Sequence, residues 1–443
     1  MSLFNLFDEP SENGATKRRW VVLSWLFFLT AINYLDRTNM AVAAPAMSQE
    51  LGLNAAAMGL LFSAFSWSYG LCQIPGGWFL DRFGARVTYG MSLFFWSLFT
   101  VFMGFGYSFM SLFLIRLLVG IAESPAFPTN SRVASIWFPS TERGTATAVY
   151  TSGEFVGLAF LTPLLTYILH SYGWEEVFYF TGIIGIIVAI LWYSFYRDPN
   201  ECKNMNEAER AYIRDGGGLV DMKPKKSRVT WAMTKELLSH RQLLGLYLTQ
   251  FANTSTMFFF LTWFPTYLMT EKNMPILKAG AYAAIPYIGA LWGVLIGGYW
   301  SDKMIKEGKT LSKARKTPVV IGLIISMSIF LTNYADSPEL VITIMAITFF
   351  GQGMAATIWS TIGDVAPVES VGLAGGMFNF IGNMAGIMTP IVIGLIVQST
   401  GSFVMAIAFV AFIAAIGVFS ILFVVGDMKR IVSKNYKPET LDT

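Results

Sequence analysis

Long apolar runs separated by short polar loops recur along this 443-residue chain, and no other feature constrains its fold as strongly. Crossing the hydrocarbon of a bilayer takes roughly 20 mainly apolar residues in one helix. Windows of that kind place helices near 20–43, 55–79, 87–106, 110–133, 144–169 and 176–196. They resume near 243–270, 279–300, 317–334, 339–361, 371–397 and 402–425. The expectation is an all-α membrane protein with twelve transmembrane helices. Composition agrees: 13% of residues are charged, against roughly 25% in an ordinary soluble domain. A soluble multidomain enzyme is therefore excluded, and a formal net charge of +3 is too balanced for a nucleic-acid binder. Two cysteines (Cys72, Cys202) and two distant histidines (His170, His240) supply neither a disulfide framework nor a zinc site, so no metal is expected. Met1–Arg19 is polar and the first apolar run is full length, so no cleavable leader is expected.

Charge placement orients the chain. Of 31 Lys and Arg, 26 fall before the first helix, in the 2–3, 4–5 and 8–9 loops, in the central linker and in the tail. The opposite loops hold only Lys272 and Lys278, and Arg37, Arg116 and Arg132 lie within spans. By the positive-inside rule both termini and the linker are cytoplasmic. The expected organisation is a tail over 1–19, a six-helix bundle over 20–196, a linker over 197–242, a second bundle over 243–426 and a tail over 427–443. In the linker, Asn206–Arg214 reads as a short surface helix stopped by Gly216, Gly217 and Gly218. No Lys-Ser/Thr follows those glycines, so a phosphate-binding loop is not expected.

The halves echo one another. Gly76-Gly77-Trp78 runs to Asp81-Arg82 at the end of helix 2, and Gly297-Gly298-Tyr299 runs to Asp302-Lys303 at the end of helix 8. Thr162-Pro163 recurs as Thr389-Pro390. Repeated halves with a midplane site are a common transporter plan. Pro75, Pro125, Pro128, Pro163 and Pro390 read as helix kinks.

The segment from Gly77 to Arg86, with Asp81, Arg82 and Gly84 inside it, resembles the 2–3 loop signature of the major facilitator superfamily. Further segments are similar to the anion:cation symporter family within it: Asn33-Tyr34-Leu35-Asp36-Arg37, Gln73 to Gly77, Arg116 through Glu123 to Pro128, and Trp137-Phe138-Pro139 with Glu142-Arg143-Gly144. Tyr150 to Pro163, Ile213 to Asp221 and Phe378-Asn379-Phe380 look most like its bacterial sugar-acid permeases of the D-galactonate:proton type. The resemblance implies two pseudo-symmetric six-helix bundles of the major facilitator fold, in a multi-pass protein of the bacterial inner membrane. It implies that Asp81, Arg82, Arg86 and Asp302 form a conformational latch at the helix 2–3 and 8–9 loops. It also implies that Tyr34, Tyr69, Trp359 and Asn379 line the sugar-acid cavity.

Ionisable groups inside a span are costly and need a partner or a task. Arg116 and Glu123 lie seven residues apart, on one helical face and about 10 Å along the axis. Asp36 and Arg37 are sequence neighbours and so point in different directions. A planar guanidinium that stays charged suits a carboxylate-bearing substrate, which makes Arg37 the candidate substrate cation. Arg116 is either a second cation or the internal partner of Asp36 or Glu123. Asp36 and Glu123 are the candidate proton carriers. Glu154 replaces a glutamine that touches sugar hydroxyls in galactonate-type relatives, and it either contacts hydroxyls or takes a proton.

The sequence thus predicts a monomeric secondary transporter, not an enzyme, that imports a hexonate such as D-galactonate with protons and without a bound cofactor. Its partners are a small organic anion, protons and the bilayer. A hexuronate, glucarate or tartrate permease or exchanger of the same family is the alternative. A membrane-embedded hydrolase would need a nucleophile or metal constellation that the sequence lacks, and a sensor would need a larger cytoplasmic domain than this linker.

Overall fold

The computed structural model describes residues 14–139, 141–218, 220, 231–367 and 370–432. The start of the N-terminal tail, the linker stretch containing Asp221 and the end of the C-terminal tail with Lys434 and Lys437 lie outside the described residues. Among the described residues no strand occurs. The chain divides into two compact units, one of Met1–Lys225 with Ile276–Ala281, the other of Lys226–Pro275 with Tyr282–Thr443.

The first unit contains α1 (Arg18–Glu50), α2 (Ala55–Met103), α3 (Phe109–Glu123), α4 (Ala126–Trp137), α5 (Arg143–Tyr172), α6 (Trp174–Phe195) and α7 (Glu207–Asp215). The second contains α8 (Trp231–Ser239), α9 (Arg241–Thr262), α10 (Phe264–Thr266), α11 (Ile276–Lys306, whose first turn groups with the first unit) and α12 (Leu311–Ser326). It continues with α13 (Pro338–Ala355), α14 (Ile358–Val365), α15 (Val371–Thr400) and α16 (Val404–Phe419). The short α8 was not expected from sequence.

Nine helical stretches among the described residues are long and apolar enough to cross a membrane, against twelve expected. Three differences account for this, each with a physical reason. The 49 residues of α2 are two helices joined at a kink, since a single straight helix of that length would measure roughly 74 Å, more than twice the hydrocarbon thickness. The chain turns at Gly84, whose φ of 74° lies in the left-handed region that glycine adopts without strain. The other two are α1 and α9. α1 carries Asn33, Asp36, Arg37 and Asn39, and α9 carries Gln242, Gln250 and Asn253, so neither is apolar enough to count among the nine. Helices run on through Pro75, Pro163 and Pro390, whereas at Pro125 the run breaks between α3 and α4.

Glycines set the closest helix contacts. A Cβ on Gly157 would come 2.5 Å from the Ala31 carbonyl, and one on Gly153 would strike that of Phe27, so α5 rests backbone to backbone on α1. Gly120 of α3 is pressed in the same way against Phe65 and Ser68 of α2. In the second unit Gly293 of α11 packs on the Phe350 carbonyl, and Gly353 of α13 packs on that of Ala290. Small residues at such crossings allow the backbone approach that drives helix association in lipid.

The expected linker helix is present as α7, capped at its start by the Asn206 side chain. It is more than a surface helix. Glu209 is fully buried and accepts the backbone N–H groups of Arg18 and Arg19, each at 3.1 Å, with the Thr16 hydroxyl at 2.6 Å. Lys17, the residue before α1, offers no side-chain cap, and the first N–H groups of a helix have no intrahelical acceptor. A carboxylate from the linker therefore caps α1 from about 190 residues away in sequence. Arg19 pairs with Glu209 at 3.1 Å and with Glu142 at 2.9 Å. These two carboxylates raise its pKa despite the opposing effect of burial.

Candidate transport site

Close packing of α5 on α1 and of α3 on α2 gathers the intramembrane charges of the first unit. Glu154 sits between the two contact glycines of α5, beside Tyr34 and Arg37 of α1. On the other side, Glu123 at the end of α3 reaches α1: Arg37 Nε donates to its Oε1 at 2.7 Å, with Nη2 at 2.6 Å from the same oxygen. Asn33 faces the same carboxylate. The Arg37 guanidinium is boxed by aromatic rings, with Tyr34 at 4.8 Å and Phe65 and Tyr69 each at 4.9 Å from its central carbon to the ring centroid. Rings over a guanidinium face favour the cation and leave its edge for a carboxylate.

Arg116 takes a different position. Its Nη2 donates to the Arg37 backbone carbonyl at 3.4 Å, and its guanidinium lies 5.4 Å from the Phe65 ring centroid. Of the two open roles for Arg116, Glu123 takes its closest contact from Arg37 instead. Asp36 lies within electrostatic reach of both Glu123 and Arg116, and its Oδ2 accepts the Trp96 indole N–H at 2.9 Å. Thr181 of α6 stands beside it and receives an Asn39 amide hydrogen bond at 3.3 Å. Asp36, Arg116, Glu123 and Glu154 are all buried. The cluster therefore holds three carboxyl groups against two guanidinium groups.

Sequence reasoning missed Phe65, Trp96 and Thr181 as members of this cluster. The signal for Trp96 was legible in principle, because an indole N–H inside a span needs an acceptor. Phe65 carried none, since an apolar ring in an apolar helix is indistinguishable from packing.

The remaining expected site residues fall elsewhere. Trp359 belongs to the second unit, is exposed, and packs edge-on against Phe378 at 4.9 Å. Asn379 also belongs to the second unit, and its side-chain oxygen accepts from the Asn383 amide at 3.1 Å. Asp81 pairs with Arg132 of α4 at 3.3 Å, so its partner comes from another helix and not from its own loop. Arg82 stacks over Trp78 at 5.5 Å, and Arg86 donates to the Tyr193 carbonyl at 2.8 Å. Asp302 echoes Asp81: Arg315 of α12 lies 3.3 Å from it and donates to Asp364 at 2.8 Å. Each unit thus ties an acid of a long helix to an arginine on a different helix.

Two helical units, the first with a buried ion pair inside its apolar spans, describe a polytopic transporter, and comparison with known proteins agrees. Residues 26–390 match the model of the Major Facilitator Superfamily. The chain belongs to that family, and is a multi-pass transporter of the bacterial inner membrane and not an enzyme. It is 47% identical over 419 residues to the D-galactonate transporter of Escherichia coli O6:H1, covering 94% of this chain and 97% of the relative. It is 43% identical over 440 residues to the "Probable galactarate/D-glucarate transporter GarP" of Escherichia coli K12, covering 97% and 99%. Among solved structures, an inward-facing bacterial homologue of the human lysosomal transporter Spinster aligns with a TM-score of 0.70 at 19% identity, covering 92% of this chain and 95% of the other. At that identity the likeness shows the fold alone.

Proposed function

We propose that the protein imports a sugar-acid anion, a hexonate of the D-galactonate type in the first instance, by proton symport through alternating access. The observation that carries this reading is the Arg37–Glu123 pair. A carboxylate of the protein already occupies the edge of the guanidinium that a substrate carboxylate would take. Protonating Glu123 removes that competitor and frees Arg37 for the substrate. Proton and substrate are then linked ligands, each changing the affinity of the other. Asp36, held by Trp96, is the second candidate proton carrier. Tyr34, Tyr69 and Glu154 surround the guanidinium and are assigned to the substrate's hydroxyls. The same role for Trp359 and Asn379 rests on resemblance alone.

Membrane voltage sets what coupling must achieve. Moving one negative charge inward against 100 mV costs about 2.3 kcal/mol. One proton per monoanion cancels that cost, and a second makes the voltage favourable. The printed names of the relatives, a D-galactonate and a galactarate/D-glucarate transporter, support the sugar-acid class. Three carboxyl groups against two guanidinium groups favour a monoacid, because a second substrate carboxylate would add negative charge where it is already in excess. Import of an aldarate diacid is the competing reading, and the 43% relatives speak for it. Uptake into proteoliposomes decides between them. A panel of aldonates, uronates and aldarates is offered with and without an imposed proton gradient. The proposal requires gradient-driven accumulation of a hexonate, and accumulation that ignores the gradient refutes it.

A further inference from the structure

The basic end of the first unit holds a cavity of about 650 Å³ that the transport chemistry does not use. It opens between the start of α1 and the end of α6. Arg18, Arg197 and Lys203 line it together with a single acid, Glu201, over an apolar floor that includes Trp137 and Phe195. Neither Arg197 nor Lys203 has an ion-pair partner among the described residues. Arg197 is held in place by its Nη1, which donates to the carbonyls of Tyr196 at 2.7 Å and Ser194 at 3.0 Å. That bonding fixes one nitrogen of a fork whose geometry matches two oxygens of a phosphate.

We infer that this cavity binds the phosphodiester headgroup of an anionic glycerophospholipid. The charge of the lining selects an anion, and its position selects a lipid. Arg18 opens α1 and Arg197 follows the last turn of α6, so the cations lie where these helices leave the hydrocarbon. Along the outer face of α6, Ile183, Ile187 and Ile190 are exposed at a spacing that keeps them on one stripe. Ser194 continues that stripe and lines the cavity. A headgroup seated on the cations would lay its acyl chain along those isoleucines. A free phosphate uses the cations but has no need of the stripe. Basic pockets at the ends of membrane helices recognise anionic headgroups in this way.

The test titrates the purified full-length protein with dioctanoyl phosphatidylglycerol, dioctanoyl phosphatidylcholine and inorganic phosphate, reading the melting temperature and lipid adducts by native mass spectrometry. Phosphatidylglycerol is expected to bind saturably and raise the melting temperature, while the other two leave it unchanged. Arg197→Gln removes a helix-capping contact and can lower stability for that reason alone. Lys203→Glu, at an exposed position, therefore carries the argument. It should keep the wild-type circular dichroism spectrum and lose at least tenfold in phosphatidylglycerol affinity. Equal binding of the two lipids, or wild-type affinity in Lys203→Glu, overturns the site. A shift produced equally by inorganic phosphate overturns the lipid assignment.

Discussion

Arg37 and Glu123 lie 86 residues apart in sequence and meet through a single carboxylate oxygen, Oε1, which both Nε and Nη2 of the guanidinium approach within 2.7 Å. The second carboxylate oxygen, Oε2, is buried and makes no hydrogen bond among the described residues. A contact this close between nearly fully buried groups is strong while both partners are charged and is lost when either is neutralised. That property distinguishes a switchable pair from a structural pin, and the variants below separate the two.

Arg37→Ala should reduce sugar-acid affinity at least a hundredfold while the protein still inserts and purifies. Removing one partner of a buried ion pair typically costs about 3–5 kcal/mol, and here the same residue is assigned to the substrate. Arg37→Lys should recover little, because an ammonium lacks the planar fork. Calorimetric titration of the purified variants measures both, and near-wild-type binding by Arg37→Ala would remove Arg37 from the site.

Glu123→Gln should separate substrate movement from proton movement. Glutamine preserves the size and hydrogen bonding of a protonated glutamate but has no proton to release. Binding should become nearly independent of pH and exchange across the membrane should persist, while gradient-driven accumulation disappears. A variant that accumulates substrate like the wild type would make Glu123 structural and shift the carrier role to Asp36 or Glu154.

Glu154→Gln tests the charge argument for a monoacid. Removing one of three carboxyl charges should raise uptake of aldarates relative to hexonates, read as the ratio of the two rates in the same vesicles. An unchanged ratio would leave Glu154 a hydroxyl contact and nothing more.

Asp81→Asn should slow transport with little change in equilibrium affinity. The side chain is exposed, it lies at the end of the first limb of α2, and its partner Arg132 comes from α4. Stopped-flow or filter uptake set against equilibrium binding resolves the two effects. Turnover equal to wild type would reduce this pair to a topology signal.

Glu209→Ala should destabilise the first unit by about 3–5 kcal/mol, the usual consequence of removing one member of a buried charged network. Two backbone N–H groups would lose their acceptor, while the Thr16 hydroxyl and the Arg19 guanidinium would each lose one and keep Asn206 and Glu142 respectively. Thermal unfolding of the purified protein gives the measurement, and a melting temperature within a degree of wild type would show that α1 needs no cap from the linker.

Apolar periodicity by itself determined the fold class, because a bilayer requires helices of a set length wherever the chain crosses it. It also determined that Asp36, Arg37, Arg116, Glu123 and Glu154 demand an explanation, since charge inside a span is costly in any arrangement. Which charge meets which was decided only by tertiary structure. Arg116 and Glu123 share a helical face, yet Glu123 takes its closest contact from Arg37 across α1 and α3. That pairing is made between two helices, and sequence spacing within one helix does not encode it. The same holds for Trp96 on Asp36, and for Glu209, which reads as one more surface acid until α7 is placed beneath the open end of α1.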